Sequence, residues 1–141
     1  MEPAPKIIVV SAGIIRKGDR FLIAQRKADS FLEASKWEFP GGKVEFGEHP
    51  EETIIREIKE EIGIEITVDK LYTLISHVYK KEGKQIHMIM LAFLADWVSG
   101  EAEPLECQEV QWVHLQEMME FDWVIADVAI VEKLVAEFSR E

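Results

Sequence analysis

The run from Gly42 to Ile64 constrains this chain more than any other part of it. Glu57, Glu60 and Glu61 stand at positions i, i+3 and i+4. On an α-helix these positions share one face, which brings three carboxylates close together. Ile54, Ile58 and Ile62, helped by Ile55, form a second stripe centred roughly 120° away on the same helix. One side can therefore dock on a core while the acidic side looks into a cleft. Like charges at i,i+4 destabilise a helix, so Glu57 and Glu61 call for a counter-charge. Clustered carboxylate oxygens are the ligands that hard cations prefer, and the pattern points to a divalent-metal site. Pro50 suits the first turn of this helix and Gly63 suits its left-handed end. His49 is a poor N-cap residue, with Glu52 three positions on as half of a capping box.

Around this helix, apolar and β-branched runs alternate with turn signals. Ile7 to Ile15 reads as a buried strand and Lys17 to Arg20 as a turn. Phe21 to Gln25 returns as a second strand, and residues 26 to 36 are a polar loop. Trp37 to Pro40 is a short extended piece that Gly41 and Gly42 close as a turn. Ile64 to Tyr79 and Gln85 to Trp97 read as two long strands around a turn at Lys81 to Lys84. Val110 to His114 is a further short strand, and Trp123 to Phe138 has helical spacing. Helices among strands in 141 residues predict one α/β domain spanning 1–141, a layered sandwich on a mixed sheet. A net charge of −11 argues against long nucleic acid or an anionic membrane as partner. Cys107 is the only cysteine, which excludes an intramolecular disulfide and points to a reducing, cytoplasmic compartment. No signal-like apolar core stands at the N-terminus, and no apolar run approaches the roughly 18 residues of a membrane span.

The residues from Gly42 to Ile64 match the pattern Gly-x5-Glu-x7-Arg-Glu-U-x-Glu-Glu-x-Gly-U at every position, where U is a bulky aliphatic residue. That pattern is the Nudix box, and the chain resembles a Nudix hydrolase. The resemblance implies an α/β/α sandwich with a mixed central sheet. It implies Mg²⁺ or Mn²⁺ as cofactor, held by Glu57, Glu60, Glu61 and the Gly41 carbonyl. By the same resemblance Glu57 is the first choice for general base, with Glu60 among the catalytic acids. Glu106, six residues before Trp112, is the loop acid that joins the metal ligands and supplies or replaces the base, and Glu109 is its rival. Arg56 is expected to pair with Glu48, holding loop and helix in register.

Gln25, Arg26 and Lys27, followed by Trp37 to Lys43, look like the MutT-like branch, which hydrolyses nucleoside triphosphates and includes CTP pyrophosphohydrolases. The expected reaction yields nucleoside monophosphate and pyrophosphate. ADP-ribose, nucleotide-sugar and dinucleoside-polyphosphate hydrolysis remain open, as does a non-enzymatic nucleotide-binding module. A monomer or a homodimer fits equally. Three residues carry two readings each. Arg26 holds phosphate or is surface charge. Phe39 stacks on a base or is core. Asp127 hydrogen-bonds the base or caps the C-terminal helix. Lys84 to His87 offers no arginine where the oxidised-guanine enzyme of this branch has one, which departs from strict specificity for that base.

Overall fold

The computed structural model describes residues 3–138 of the chain. Its long strands are β1 (Lys6–Lys17), β5 (Glu65–Lys81) and β6 (Lys84–Ser99). Shorter ones are β2 (Arg20–Gln25), β3 (Trp37–Glu38), β4 (Gly41–Lys43) and β7 (Glu109–His114). The helices are α1 (Pro50–Ile62) and α2 (Ile125–Phe138), with a 3₁₀ segment at Leu115–Glu120. β1 runs parallel to β6 from Lys6↔Ile86 to Arg16↔Asp96 and antiparallel to β2 and β4. β5 lies antiparallel outside β6, and β7 lies outside β2, so the sheet is mixed.

Strand alternation divides the core into two layers. Ile14, Phe21, Ile23 and Leu94 face α2 and meet Ile130, Val131 and Leu134. Their neighbours Ile15, Leu22, Phe93 and Ala95 face α1 and meet Ile54, Ile58 and Ile62. Ile54, Ile58 and Ile62 are fully buried, each contributing about 1.5–3 kcal/mol. Ile55, expected to help that stripe, lies exposed because it sits one position off the buried face. The result is the expected α/β/α sandwich.

Local details differ from the sequence reading where tertiary pairing decides. Gly41 and Gly42 are not a turn but the strand β4, with Gly41↔Ala12 and Gly42↔Ser11 in register. A side chain at Gly41 would run into the Ser11 carbonyl, so only glycine fits against β1 there. The turn between β5 and β6 narrows to Glu82 and Gly83, at φ 50° and 78°, the positive values a two-residue hairpin turn needs. His49 does cap α1: its Nδ1 accepts from the Glu51 N–H at 3.1 Å. Among the described residues Glu52 makes no return bond, and Thr53 donates instead to Glu48 at 2.7 Å. α2 starts at Ile125 rather than Trp123 because the preceding residues pair with β3. The Trp37 N–H donates to the Asp122 carbonyl at 2.8 Å, and the Val124 N–H to the Trp37 carbonyl at 2.9 Å.

Candidate active site

The acidic face of α1 is built around Arg56. Its guanidinium donates to both Glu48 oxygens, at 2.7 and 3.0 Å, the expected two-point contact between helix and preceding loop. Its third nitrogen donates to Glu57 at 3.0 Å and Glu60 at 3.3 Å, which supplies the counter-charge the acids need. Hydrogen bonds from Arg56 and Thr53 pull the Glu48 carboxyl down to about 2. Glu57 lies against β4: a side chain at Gly42 would collide with its carboxyl, so this glycine gives the acid its place.

Glu61 shares a hydrogen bond with Glu57. Burial pushes its carboxyl up to about 9, helped by the charges of Glu57, Glu38 and Glu106. Burial also raises Glu57, against the pull of Arg56. Glu60 is turned to Arg56 and half exposed, so among the described residues no three acids surround a common point. The fit to a hard cation therefore rests on donor chemistry. Two half-buried carboxyls, Glu57 and Glu61, are hydrogen-bonded to each other among further acids, beside two glycines that leave the backbone bare.

Glu106 reaches this face through the end of α1. The Glu61 carbonyl accepts from Leu105 N–H at 3.0 Å and Glu106 N–H at 3.2 Å. Glu106, Glu61, Glu38 and Arg26 border a cavity of about 150 Å³. Among the described residues Glu109 borders neither this cavity nor the larger one below; its carboxylate accepts from the Val110 N–H at 3.3 Å and its carbonyl from the Cys107 thiol.

A larger cavity of about 330 Å³ runs from Glu61, Gly41 and Gly42 to Asp127. Arg26 and Glu38 border both cavities and pair at 3.1 Å; a second Arg26 nitrogen donates to the Leu32 carbonyl at 3.0 Å. Asp127 is not the helix cap. Its Oδ2 accepts from the buried Phe39 N–H at 2.8 Å, and burial raises its carboxyl well above the usual range. The cap comes from the distant Glu33, which accepts from the Ile125 N–H at 2.7 Å. Phe39 is only 3% exposed, with Trp123 stacked on it at 5.0 Å, so its ring belongs to the core while still bordering the cavity. Sequence reasoning missed Glu33, Glu38 and Tyr79 at this cavity. For Glu38 the signal lay in its place beside Trp37 and Phe39, where the alternation of a strand turns it away from the core.

The chain belongs to the Nudix family, whose model, the NUDIX domain, matches residues 5–134. It is a Nudix hydrolase, and such enzymes generally use divalent metals. It is 35% identical to the CTP pyrophosphohydrolase of Escherichia coli over 131 residues, covering 93% of each chain. It is 32% identical to the 8-oxo-dGTP diphosphatase of the same organism, covering 92% of this chain and 97% of that one. The solution structure of the E. coli ORF135 protein superposes with a TM-score of 0.76 at 33% identity, covering 96% and 94%. The crystal structure of the MutT protein from Methanosarcina mazei Go1 gives 0.78 at 25% identity, covering 93% and 94%. Among the described residues no helix is long and apolar enough to cross a membrane.

Proposed function

We propose that the chain hydrolyses nucleoside triphosphates to monophosphate and pyrophosphate with Mg²⁺ or Mn²⁺. The supporting observation is the larger cavity, which joins the Glu61 and glycine end of the acid face to the buried carboxyl of Asp127. Glu57, Glu61 and the Gly41 carbonyl would hold the cation, with Glu60 released from Arg56 and Glu106 supplied by its loop. When bound, the cation neutralises phosphate oxygens and acidifies water. Glu57 is the group we assign to take the proton from the attacking water, and Glu106 is the second candidate. As water adds to phosphorus, the phosphoanhydride bond breaks and pyrophosphate leaves. Glu48 and Arg56 orient the helix and its acids. Arg26 binds phosphate from the junction of the two cavities. Asp127 reads the base while Phe39, held by Trp123, supplies a fixed wall.

The partner is a small nucleotide, the protein works as a monomer or homodimer, and its single cysteine fits the cytoplasm. The test is a nucleotide panel assayed separately for pyrophosphate and phosphate release with each metal. Pyrophosphate from at least one triphosphate is expected. Turnover confined to ADP-ribose, nucleotide sugars or dinucleoside polyphosphates would replace this reading. Nucleotide binding without any turnover would make the chain a binding module.

A further inference from the structure

Glu33 sits in the loop between β2 and β3 and takes no part in the acid face. Its φ of 49° lies in the left-handed region, which costs a residue bearing a side chain. The carboxylate is what that conformation places. It accepts from the Ile125 N–H at the start of α2 and from the Tyr79 hydroxyl near the end of β5. Loop, hairpin and helix meet at this one side chain, and Glu33, Tyr79 and Asp127 border the same cavity. The loop is held a second time at Phe31. Lys81 donates to its carbonyl at 2.6 Å, and the Lys81 and Lys84 ammonium groups lie 5.0 and 4.9 Å from its ring centre. Glu33 is therefore fixed in place before any ligand arrives.

Part of the cavity lining is apolar, from Ile8, Val10, Met88 and Met90. Of the cations bordering the cavity, Arg26 is engaged by Glu38 and the Leu32 carbonyl, and Lys43 follows the glycine pair on β4. A carboxylate offers about four acceptor sites, and two are taken by Tyr79 and Ile125. An exocyclic amine can donate to the remainder. An oxo group in the same place would set oxygen against a fixed anion with no proton between them.

We propose that Glu33 is a specificity-determining residue that accepts from the exocyclic amine of the nucleobase, so that the pocket favours amino bases over their oxo counterparts. This rests on the triphosphate hydrolysis proposed above. The test measures kcat/KM of the full chain with its metal on three pairs: cytidine against uridine, adenosine against inosine, and guanosine against xanthosine triphosphate. The members of each pair differ by an amine against an oxo group and by the hydrogen on the adjacent ring nitrogen. In the best-used pair the amino member should lead by about tenfold or more. Glu33→Gln keeps an acceptor for the Ile125 N–H and meets an oxo group with an amide N–H. It should bring that ratio close to one while the melting temperature holds. A Glu33→Gln loss shared equally by both members of every pair would reduce the residue to a structural latch and overturn the proposal. A wild-type ratio near one would overturn it as well. If no triphosphate is hydrolysed, the proposed function falls together with this inference, whereas turnover indifferent to amine or oxo sinks this inference alone.

Discussion

Glu61 carries a proton that the unfolded chain would give up. Its folded value of about 9 lies above the ordinary 4.5, so between those limits the native state binds the proton more tightly. Metal-free stability from this group is fully present below about 4.5 and is lost as pH rises toward 9. Melting in chelator should show this decline, and Glu61→Gln, which cannot ionise, should flatten it. An equally steep decline in the variant would place the titration elsewhere. With metal and substrate, Glu57→Gln and Glu61→Gln should each lower turnover by orders of magnitude while keeping the fold. Near-normal turnover of either at saturating Mg²⁺ would remove it from the metal set. Asp127 permits a cleaner separation than its alanine variant, because alanine leaves the Phe39 N–H buried and unpaired at about 1–3 kcal/mol. Asp127→Asn keeps an oxygen for that N–H. It should hold the melt, raise KM for the preferred nucleotide and change the order among bases. An unchanged order would leave Asp127 a structural acceptor only.

At the scale of elements, α1 is where stability and chemistry share one helix. Its isoleucine side is closed in the core, so the acid side can change without unfolding it. Acids gathered by folding bind cations only in the folded state, and Mg²⁺ or Mn²⁺ should raise the melting temperature. The triple Glu57/Glu60/Glu61→Gln variant should lose that response; an equal shift in the variant would put the cation elsewhere. This helix was the most legible part of the sequence, because its acid and isoleucine stripes and its glycine end are local signals. β1, β2 and the β5–β6 hairpin were legible to within about two residues at most ends, since alternation and turn residues mark them. β3 was read as part of the extended piece Trp37 to Pro40, but β4, three residues long, was taken for a turn. Strands so short exist only by pairing with a long neighbour, and no window of sequence contains that neighbour. The start of α2 was missed for the same reason: Trp37, some 86 positions away, holds Trp123 in a bridge. Of the site, the box acids and Arg56–Glu48 were readable because they are close in sequence. Glu33 acts on Ile125 across 92 positions, and Asp127 on Phe39 across 88, which no periodicity records.

At the scale of the whole molecule, the formal charge of −11 opposes an anionic substrate before any contact is made. The cavity adds little to that sign: Glu33 and Glu38 along it stand against Arg26 and Lys43, and burial favours the protonated forms of Glu61 and Asp127. Long-range repulsion of this kind is screened over about 10 Å at 0.1 M salt, whereas contacts inside the cavity are screened far less. Monovalent salt should therefore act mainly on encounter. Raising KCl from about 10 to 150 mM at fixed Mg²⁺ should speed nucleotide association, the reverse of what a basic substrate funnel gives. Stopped-flow binding of a fluorescent triphosphate reads this directly, with dissociation measured separately. A rate that fell with salt would mean that Arg26, Lys43 and the bound cation, rather than the molecule's net charge, set the field the nucleotide meets.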